Sequence, residues 1–276
     1  MAAEDFDDEL LETVIARSDI LGALADGPCH RRELQDRFDV SKTTCHRIVR
    51  SLDERDLIRR TDRGYELSEL GTTIWTQVKT FEGNVRTAYR LQPLYEALES
   101  TQIDLEVELF ADATITRPLP EDPSPPVHRY LELFRDAETV RTLDRSSFIP
   151  PLYVEEIFEV ALERDGAGIA IYPLSVVEAR YEKYPDVHRE VAETGLDIRY
   201  RVHDDVPFGM SIYDDDHVGL RAYDGDTGAL HLFADTDDPA AVDWAIDVFD
   251  RYYEESEPPS AFDELPDWVP ESDIQL

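Results

Sequence analysis

The N-terminal fold is decided by the stretch Ser41-Lys42-Thr43-Thr44-Cys45-His46-Arg47-Ile48-Val49-Arg50-Ser51-Leu52. Its apolar residues fall at the i, i+3, i+4 and i+7 spacing of one face of an α-helix. These residues are Cys45, Ile48, Val49 and Leu52. Ser41 stands where its hydroxyl can accept a hydrogen bond from a free amide of the first turn. The stretch predicts an amphipathic helix with one face turned to a core and a polar, basic face turned outward.

The residues before this stretch predict further helices. We expect one helix from Asp5 to Arg17, a second short helix beginning at Ser18, and a third from His30 to Phe38. Asp39-Val40 then forms a short turn that leads into Ser41. A helix, a short turn and a second helix at this spacing are typical of a helix-turn-helix unit.

The residues after this stretch predict a β-hairpin. Leu57 to Arg60 and Tyr65 to Leu67 are short strand-like segments, and Thr61-Asp62-Arg63-Gly64 supplies the turn between them. A hairpin that follows a recognition helix is a wing, whose arginines can reach phosphate or a minor groove. Residues 1–70 are therefore predicted to form an α+β winged helix-turn-helix domain. The alternative is an ordinary amphipathic helix followed by a solvated basic hairpin.

The expected DNA contacts come from the 41–55 helix and the 57–67 wing. The expected base readers in the major groove are Lys42, Thr43, His46 and Arg47. Ser41 and Thr44 are also expected among the DNA-binding residues of this helix. Further cations are expected at phosphates or in a minor groove, and these are Arg50, Arg59, Arg60 and Arg63.

The charge distribution supports a polyanion site in this region. The whole chain carries a net charge of −35, which by itself argues against nucleic acid as a partner. From Gly27 to Tyr65, however, ten lysines and arginines stand against seven aspartates and glutamates, whereas the rest of the chain carries −38. Strong acidity with only three lysines resembles the proteins of salt-accumulating archaea. Because concentrated salt weakens phosphate contacts, we expect specificity to rest on groove fit and base-edge contacts.

The N-terminal motifs resemble those of archaeal winged-helix transcriptional regulators, within a looser superfamily that includes ArsR-like and TrmB-like proteins. Three segments carry the resemblance, and they are Leu34–Thr44, Leu52–Ile58 and Tyr65–Gly71. The resemblance implies sequence-specific binding of double-stranded DNA by the helix and wing described above.

Residues 71–100 are predicted to form a connector helix that also pairs two subunits. Ser68 is expected to cap it, and Pro93 to end or kink it before a short helix from Leu94 to Leu98. Apolar side chains recur along it at coiled-coil-like spacing, and these are Ile74, Val78, Phe81, Val85 and Ala88 or Tyr89. The alternative is a single helix that packs on its own domain.

From residue 101 to residue 255 the pattern alternates between strands and helices, which indicates an α/β sheet domain. We expect a strand from Leu105 to Phe110, an irregular loop from Pro118 to Pro126, and a helix from Tyr153 to Arg164. Three later segments predict a meander, and they are Met210–Tyr213, Val218–Ala222 and Leu230–Phe233. Residues 256–276 are predicted to be an acidic, proline-containing tail anchored by Trp268.

The second domain resembles the sensor domain of archaeal regulators of methanogenesis and filament formation, and more distantly the TrmB sensor. The stretches behind this are Pro207–Asp215, Val218–Asp224 and Asp237-Asp238-Pro239. The resemblance implies an effector-sensing domain with a phospholipase-D-like fold. On the signature His-x-Lys-x-x-x-x-Asp of that enzyme, the matching positions are Phe208, Met210 and Asp215. Phe cannot attack phosphorus and Met cannot hold phosphate, so the domain is expected to be catalytically degenerate.

An effector pocket is the least specific prediction. The candidate lining residues are Tyr172, Tyr181, Phe208, Met210, Tyr213 and Arg221, although core packing explains most of them equally well. Acidic turns such as Asp214-Asp215-Asp216 are better explained by solvation than by metal binding. The motifs of common nucleotide-dependent enzymes and hydrolases are absent. We therefore expect no enzyme activity, no cofactor and no metal.

The sequence favours a cytoplasmic transcriptional regulator that binds DNA as a homodimer and responds to an unidentified small-molecule effector, without membrane attachment. One alternative is a phosphodiesterase-like enzyme domain tethered to DNA. Another is a redox-sensing regulator that acts through Cys29 or Cys45. Cys45 is expected on the core face of its helix, where thiols are usually inert.

Overall fold

The computed structural model describes residues 8–99, 101–146, 153–154, 157, 159–160, 167–194, 198–225 and 227–262. The chain divides into two compact units, Met1–Arg86 and Thr87–Leu276. The division falls inside the predicted connector. In the part of the chain that the structure describes, no helix is both long and apolar enough to cross a membrane.

The N-terminal unit contains the predicted order of helices followed by a hairpin. Its elements are α1 (Asp8–Ala16), α2 (Ser18–Ala25), α3 (Arg31–Phe38), α4 (Lys42–Asp53), β1 (Ile58–Thr61) and β2 (Gly64–Leu67), and it holds the beginning of α5 (Glu69–Arg90). Asp39 ends α3 in the left-handed conformation, with a φ of 48°. Ser68 caps α5 as predicted, because its Oγ accepts a hydrogen bond of 2.9 Å from the Gly71 amide.

The apolar faces of these elements form one core. Its most buried side chains come from four different elements or turns, and they are Leu21, Leu34, Leu52 and Leu57, each less than 2% exposed. Each such side chain contributes about 1.5–3 kcal/mol to folding when it leaves water. The order and packing are those of a winged helix, which confirms the prediction for this part of the chain.

The C-terminal unit contains a mixed sheet with helices. Its elements are α6 (Gln92–Leu98), a 3-10 helix (Val107–Phe110), β3 (Thr114–Thr116), α7 (Pro125–Asp136), β4 (Thr139–Leu143), β5 (Ala167–Tyr172), α8 (Leu174–Lys183), α9 (Pro185–Thr194), β6 (Ile198–Val202), β7 (Gly209–Tyr213), β8 (His217–Tyr223), β9 (Leu230–Thr236), α10 (Pro239–Glu255) and a second 3-10 helix (Pro259–Ala261).

The described strands of this unit form a sheet in the order β3-β9-β8-β7-β4-β5-β6. Strands β4, β5 and β6 are parallel, and every other neighbouring pair is antiparallel. Helix α10 packs on one face of the sheet with Met210 and Leu220, and helix α7 packs on the other with Tyr213 and Phe233. The predicted meander is present as β7, β8 and β9.

Two local predictions in this unit were wrong. The segment Leu105–Phe110 is not a strand but contains the 3-10 helix, which places Phe110 in the core, edge-to-face with Trp244 at 5.8 Å. The loop predicted to reach Pro126 ends earlier, because Pro125 and Pro126 form the first turn of α7, where a missing amide proton costs nothing. Strand β3 was not predicted.

The remaining predictions concern Pro93 and segments outside the described residues. Helix α5 ends at Arg90, shortly before Pro93, and a separate short helix follows, as predicted. Pro93 itself lies in the first turn of α6. The predicted helix from Tyr153 to Arg164 falls mostly outside the described residues, and Trp268 falls outside them altogether.

A buried ion pair inside the C-terminal unit links β8 to the residue that follows β4, across the intervening strand β7. Arg221 and Asp144 are both 0% exposed, and Arg221 Nε donates to Asp144 Oδ2 at 2.8 Å. Arg221 also donates to Ser211 Oγ at 3.0 Å, and the Tyr223 hydroxyl donates to Asp144 at 2.7 Å. Burial opposes the charge on Arg221, yet the Asp144 carboxylate keeps the pKa of its guanidinium raised. Gly209 leaves the space for this network, because a Cβ there would lie 2.6 Å from Arg221 Nε.

We expect Asp144→Asn to destabilise the C-terminal unit by about 3 kcal/mol or more, since it leaves Arg221 charged and buried without its counterion. Urea unfolding followed by circular dichroism measures the loss. The matched control is Asp243→Asn, which removes a carboxylate from an exposed position of α10. Equal stability of the two variants would contradict the assignment of a structural ion pair.

Candidate nucleic-acid interface

Helix α4 is oriented by its apolar face. Ser41 caps it as predicted, with the Thr44 amide donating to Ser41 Oγ at 3.1 Å. The four apolar side chains of the predicted face are all less than 5% exposed, and they are Cys45, Ile48, Val49 and Leu52. Because a helix cannot bury both faces against one core, the polar side chains between them point to solvent.

The exposed face of α4 gathers the four predicted base-reading residues together with Arg50. A shallow surface groove is lined by Lys42, Thr43, His46, Arg47 and Arg50. Ser41 and Thr44 have a local role instead, because their hydroxyl oxygens lie 2.9 Å apart at the start of the helix. The groove therefore offers three cations, an imidazole and a hydroxyl to a polyanionic partner.

The wing is tied to the domain through its second strand. Strands β1 and β2 pair in the register Ile58↔Leu67 to Thr61↔Gly64. Backbone hydrogen bonds of 2.8 and 2.9 Å join Tyr65 to Cys29 in both directions. Gly64 has a φ of +120°, and a Cβ on it would lie 2.4 Å from the Cys29 carbonyl oxygen. The wing thus depends on glycine at this position.

The three wing arginines are exposed, as predicted for phosphate contacts. Arg59 and Arg60 lie on β1, and Arg63 lies in the turn. Successive residues of a strand point to opposite faces, so Arg59 and Arg60 present their guanidinium groups on different sides of the hairpin. Arg31 reinforces the hairpin from α3 by donating to the Tyr65 hydroxyl at 2.6 Å.

Two of the predicted cations are paired with carboxylates. Arg50 Nε donates to Glu54 at 2.7 Å, and Arg59 Nε donates to Glu66 at 2.8 Å. The hydrogen bond and charge of Glu54 raise the pKa of Arg50. Within the described residues, the other cations have no carboxylate at ion-pair distance, and they are Lys42, Arg47, Arg60 and Arg63.

Glu54 and Glu66 are residues of this surface that the sequence reasoning missed. The i,i+4 spacing of Arg50 and Glu54 is a recognisable helix pair. The Arg59–Glu66 pair depends on the hairpin register, in which these residues stand directly opposite each other. The predicted turn at residues 61–64 implies this register, so the signal for the pair was present in the sequence.

The six predicted effector residues lie in different packing clusters. Tyr172 and Tyr181 pack with Tyr200. Phe208 and Met210 are 0% exposed in the core beneath α10. The other two lie on the α7 side of the sheet, and they are Tyr213 and Arg221. The structure does not bring the six together around one space.

The tyrosine cluster has a charged neighbour that the sequence reasoning did not name. Arg180 lies over the rings of Tyr172 and Tyr200, at 5.3 and 5.7 Å from the ring centroids. Burial and the charge of Arg180 lower the pKa of His188 to about 4, and burial raises the pKa of Tyr181. His188 and Tyr181 are therefore neutral at physiological pH.

Both cysteines have the character of ordinary thiols. Burial raises the pKa of Cys45, and burial together with the nearby Glu33 raises the pKa of Cys29. Cys45 is 2% exposed. Since the thiolate is the reactive form, these environments disfavour oxidation chemistry at either residue.

Comparisons with known protein families give two matches. Residues 7–90 match the HVO_A0261 N-terminal domain. Residues 123–255 match the middle domain of the methanogenesis regulatory protein FilR1. The chain resembles archaeal regulatory proteins. Each match covers less than half of the chain, and the two lie in different parts of it. No curated protein matches the chain.

Two solved structures illustrate the level of structural similarity. TrmBL2, described as an archaeal chromatin protein with a novel mode of DNA binding, has a TM-score of 0.42 and 15% identity, and the match covers 92% of this chain and 100% of that one. NucT from Helicobacter pylori has a TM-score of 0.40 and 14% identity, over 53% of this chain and 98% of that one. Similarity at this level does not define a fold, and the phospholipase-D-like fold stays a prediction.

We expect Gly64→Ala to destabilise the N-terminal unit by about 2 kcal/mol or more, through a strained backbone and a clash with the Cys29 carbonyl. Thermal unfolding monitored by circular dichroism tests this. The matched control is Gly83→Ala in α5, where a Cβ meets no atom within 4 Å. Alanine should stabilise that helix by up to about 1 kcal/mol. A neutral Gly64→Ala would show that the wing does not need its observed backbone conformation.

Proposed function

We propose that the protein is a DNA-binding transcriptional regulator. The observation that carries this proposal is the exposed basic face of α4, which stands beside an arginine-bearing wing in a winged-helix domain. An amphipathic helix of this kind can lie in a major groove while the wing contacts the backbone or the minor groove. The match of residues 123–255 to a domain of a regulatory protein supports the same function.

We assign base reading to the groove residues in the N-terminal half of α4. Lys42, Thr43, His46 and Arg47 supply donors and acceptors of the kinds that distinguish base edges. Arg50 and the three wing arginines are assigned to phosphates or a minor groove. Ser41 and Thr44 support the helix terminus, where backbone amides can also face a phosphate.

We expect Arg47→Ala to weaken binding to duplex DNA from upstream of its own operon by about tenfold or more, since a lost base contact costs roughly 1–3 kcal/mol. Fluorescence anisotropy in concentrated KCl measures the affinity. The control is Arg251→Ala, which removes an exposed arginine from α10 of the other unit. Wild-type affinity in Arg47→Ala would remove α4 as the recognition helix.

Ile74 and Val78, the first two residues of the apolar row predicted along α5, pack into the core of the N-terminal unit. We also propose that the protein acts as a homodimer joined through the remaining part of this row. Phe81 and Val85 are 54% and 51% exposed, and Tyr89 one turn further is 77% exposed. Their spacing of four residues places them on one side of the helix. Large apolar side chains in a row on a helix are stabilised when a second helix covers them. Two antiparallel or parallel copies of α5 would provide that cover.

We expect the double variant Phe81→Asp with Val85→Asp to sediment as a monomer, because it places charges in the apolar row. Analytical ultracentrifugation in concentrated KCl measures the mass, and Thr80→Asp, exposed on a neighbouring side of α5, should leave it unchanged. If the wild-type protein sediments as a monomer, the proposed dimer is wrong. The DNA-binding proposal does not depend on that result.

The C-terminal domain is assigned to the control of DNA binding by an effector, and not to catalysis. Phe208 and Met210, at the positions of the phospholipase nucleophile and phosphate ligand, are core residues with no exposed surface. The alternatives are a tethered phosphodiesterase and a thiol-based sensor. The burial of Cys45 and the raised pKa values of both thiols count against the second alternative.

A further inference from the structure

We propose that Glu54 and Glu66 are specificity-determining residues, which hold Arg50 and Arg59 back from non-specific DNA and let them contact phosphate only in a correctly docked complex. This rests on the proposed function. Neither glutamate is among the predicted contacts, and each is placed by a different element: Glu54 at the end of α4, and Glu66 on the second strand of the wing.

The first pair lies at the C-terminal end of the recognition helix. Arg50 Nε donates to Glu54 Oε1 at 2.7 Å, while the arginine side chain is 69% exposed. The pair is therefore open to a phosphate that approaches from solvent. Glu54 is also the C-cap residue, and its amide donates to the Arg50 carbonyl at 2.9 Å, so the backbone places the root of its side chain one turn after Arg50.

The second pair is fixed by the hairpin register. Arg59 and Glu66 stand directly opposite each other on β1 and β2, and Arg59 Nε donates to Glu66 Oε1 at 2.8 Å. The arginine is 66% exposed, whereas Glu66 is only 22% exposed. The Glu66 carboxylate is thus partly buried, whereas the Arg59 guanidinium is open to solvent.

The two pairs divide six cations into two classes. Four of them, Lys42, Arg47, Arg60 and Arg63, are open charges in the described part of the chain, and their attraction to phosphate acts at a distance. An arginine beside a carboxylate is a dipole, whose attraction falls off faster with distance than that of a charge. Arg50 and Arg59 therefore add little to loose, non-specific association.

A docked complex changes this balance at short range. A guanidinium has five donors, so an arginine that already serves one carboxylate can hydrogen-bond to a phosphate with its remaining N–H groups. That contact requires the phosphate at hydrogen-bond distance, which only the correct groove fit provides. The glutamates should therefore weaken binding to mixed-sequence DNA more than binding to the specific site.

The test uses the full chain with Glu54→Gln, Glu66→Gln and the double variant. The probes are a mixed-sequence duplex and the upstream duplex that the wild-type protein selects, over a range of KCl concentrations. We expect each glutamine to tighten binding to the mixed-sequence duplex by about two- to fivefold, with a smaller gain on the selected duplex. The salt slope on mixed-sequence DNA should steepen by about 0.9 for each freed arginine.

The control for net charge is Asp36→Asn, which removes one negative charge from an exposed position of α3. Its affinity and salt slope should stay close to those of the wild type. If Asp36→Asn matches the glutamine variants, the effect is one of total charge and the proposal is wrong. Equal tightening on both duplexes would likewise overturn it.

A double-mutant cycle separates pairing from simple repulsion of DNA by the glutamate. In an Arg50→Gln background, Glu54→Gln should tighten mixed-sequence binding much less than it does with Arg50 present. An undiminished gain in that background would overturn the pairing role. If the wild-type protein selects no duplex at all, the proposed function fails. If it does select one while the glutamine variants match the wild type, only the role of the glutamates fails.

Discussion

The burial of one face of α4 is the constraint on which the candidate interface depends. Cys45, Ile48, Val49 and Leu52 are packed into the N-terminal core, so the helix cannot rotate without exposing them at a cost of about 1.5–3 kcal/mol for each large side chain. The side chains that alternate with them are therefore fixed toward solvent. The groove of Lys42, Thr43, His46, Arg47 and Arg50 is a direct consequence of this packing.

Electrostatics then act on a surface whose geometry is already set. The chain carries −35 overall, so a general attraction to polyanions is not available to it, and the cations are effective only where they are concentrated. Even in that region, Arg50 and Arg59 form ion pairs with glutamates. A surface built in this way favours contact geometry over total charge, which suits the proposed discrimination between DNA sequences.

The C-terminal unit is organised around different interactions. Its sheet buries an apolar face beneath α10, whereas the face toward α7 contains the Arg221–Asp144 ion pair with Tyr223 and Ser211. A buried pair of this kind adds little net stability, but loss of one partner is costly. The pair therefore specifies how β4, β7 and β8 are arranged more than it stabilises the sheet. This structural role explains why Arg221 is present, so no effector contact is needed to account for it.

The sequence by itself determined the order of elements and the faces of the long ones, since the periodicity of apolar residues is a local property. It predicted α4, its Ser41 cap, the wing and the meander, and it placed the basic residues on them. It failed where local pattern and tertiary contact disagree: Leu105–Phe110 alternates like a strand, but packing of Phe110 against Trp244 draws it into a 3-10 helix. The pairing of Glu66 with Arg59 follows from the hairpin register, which the turn between the two strands sets locally. Only the tertiary structure decided that Phe208 and Met210 are core. That outcome depends on which faces of the sheet are covered, and coverage is set by contacts between residues far apart in the chain.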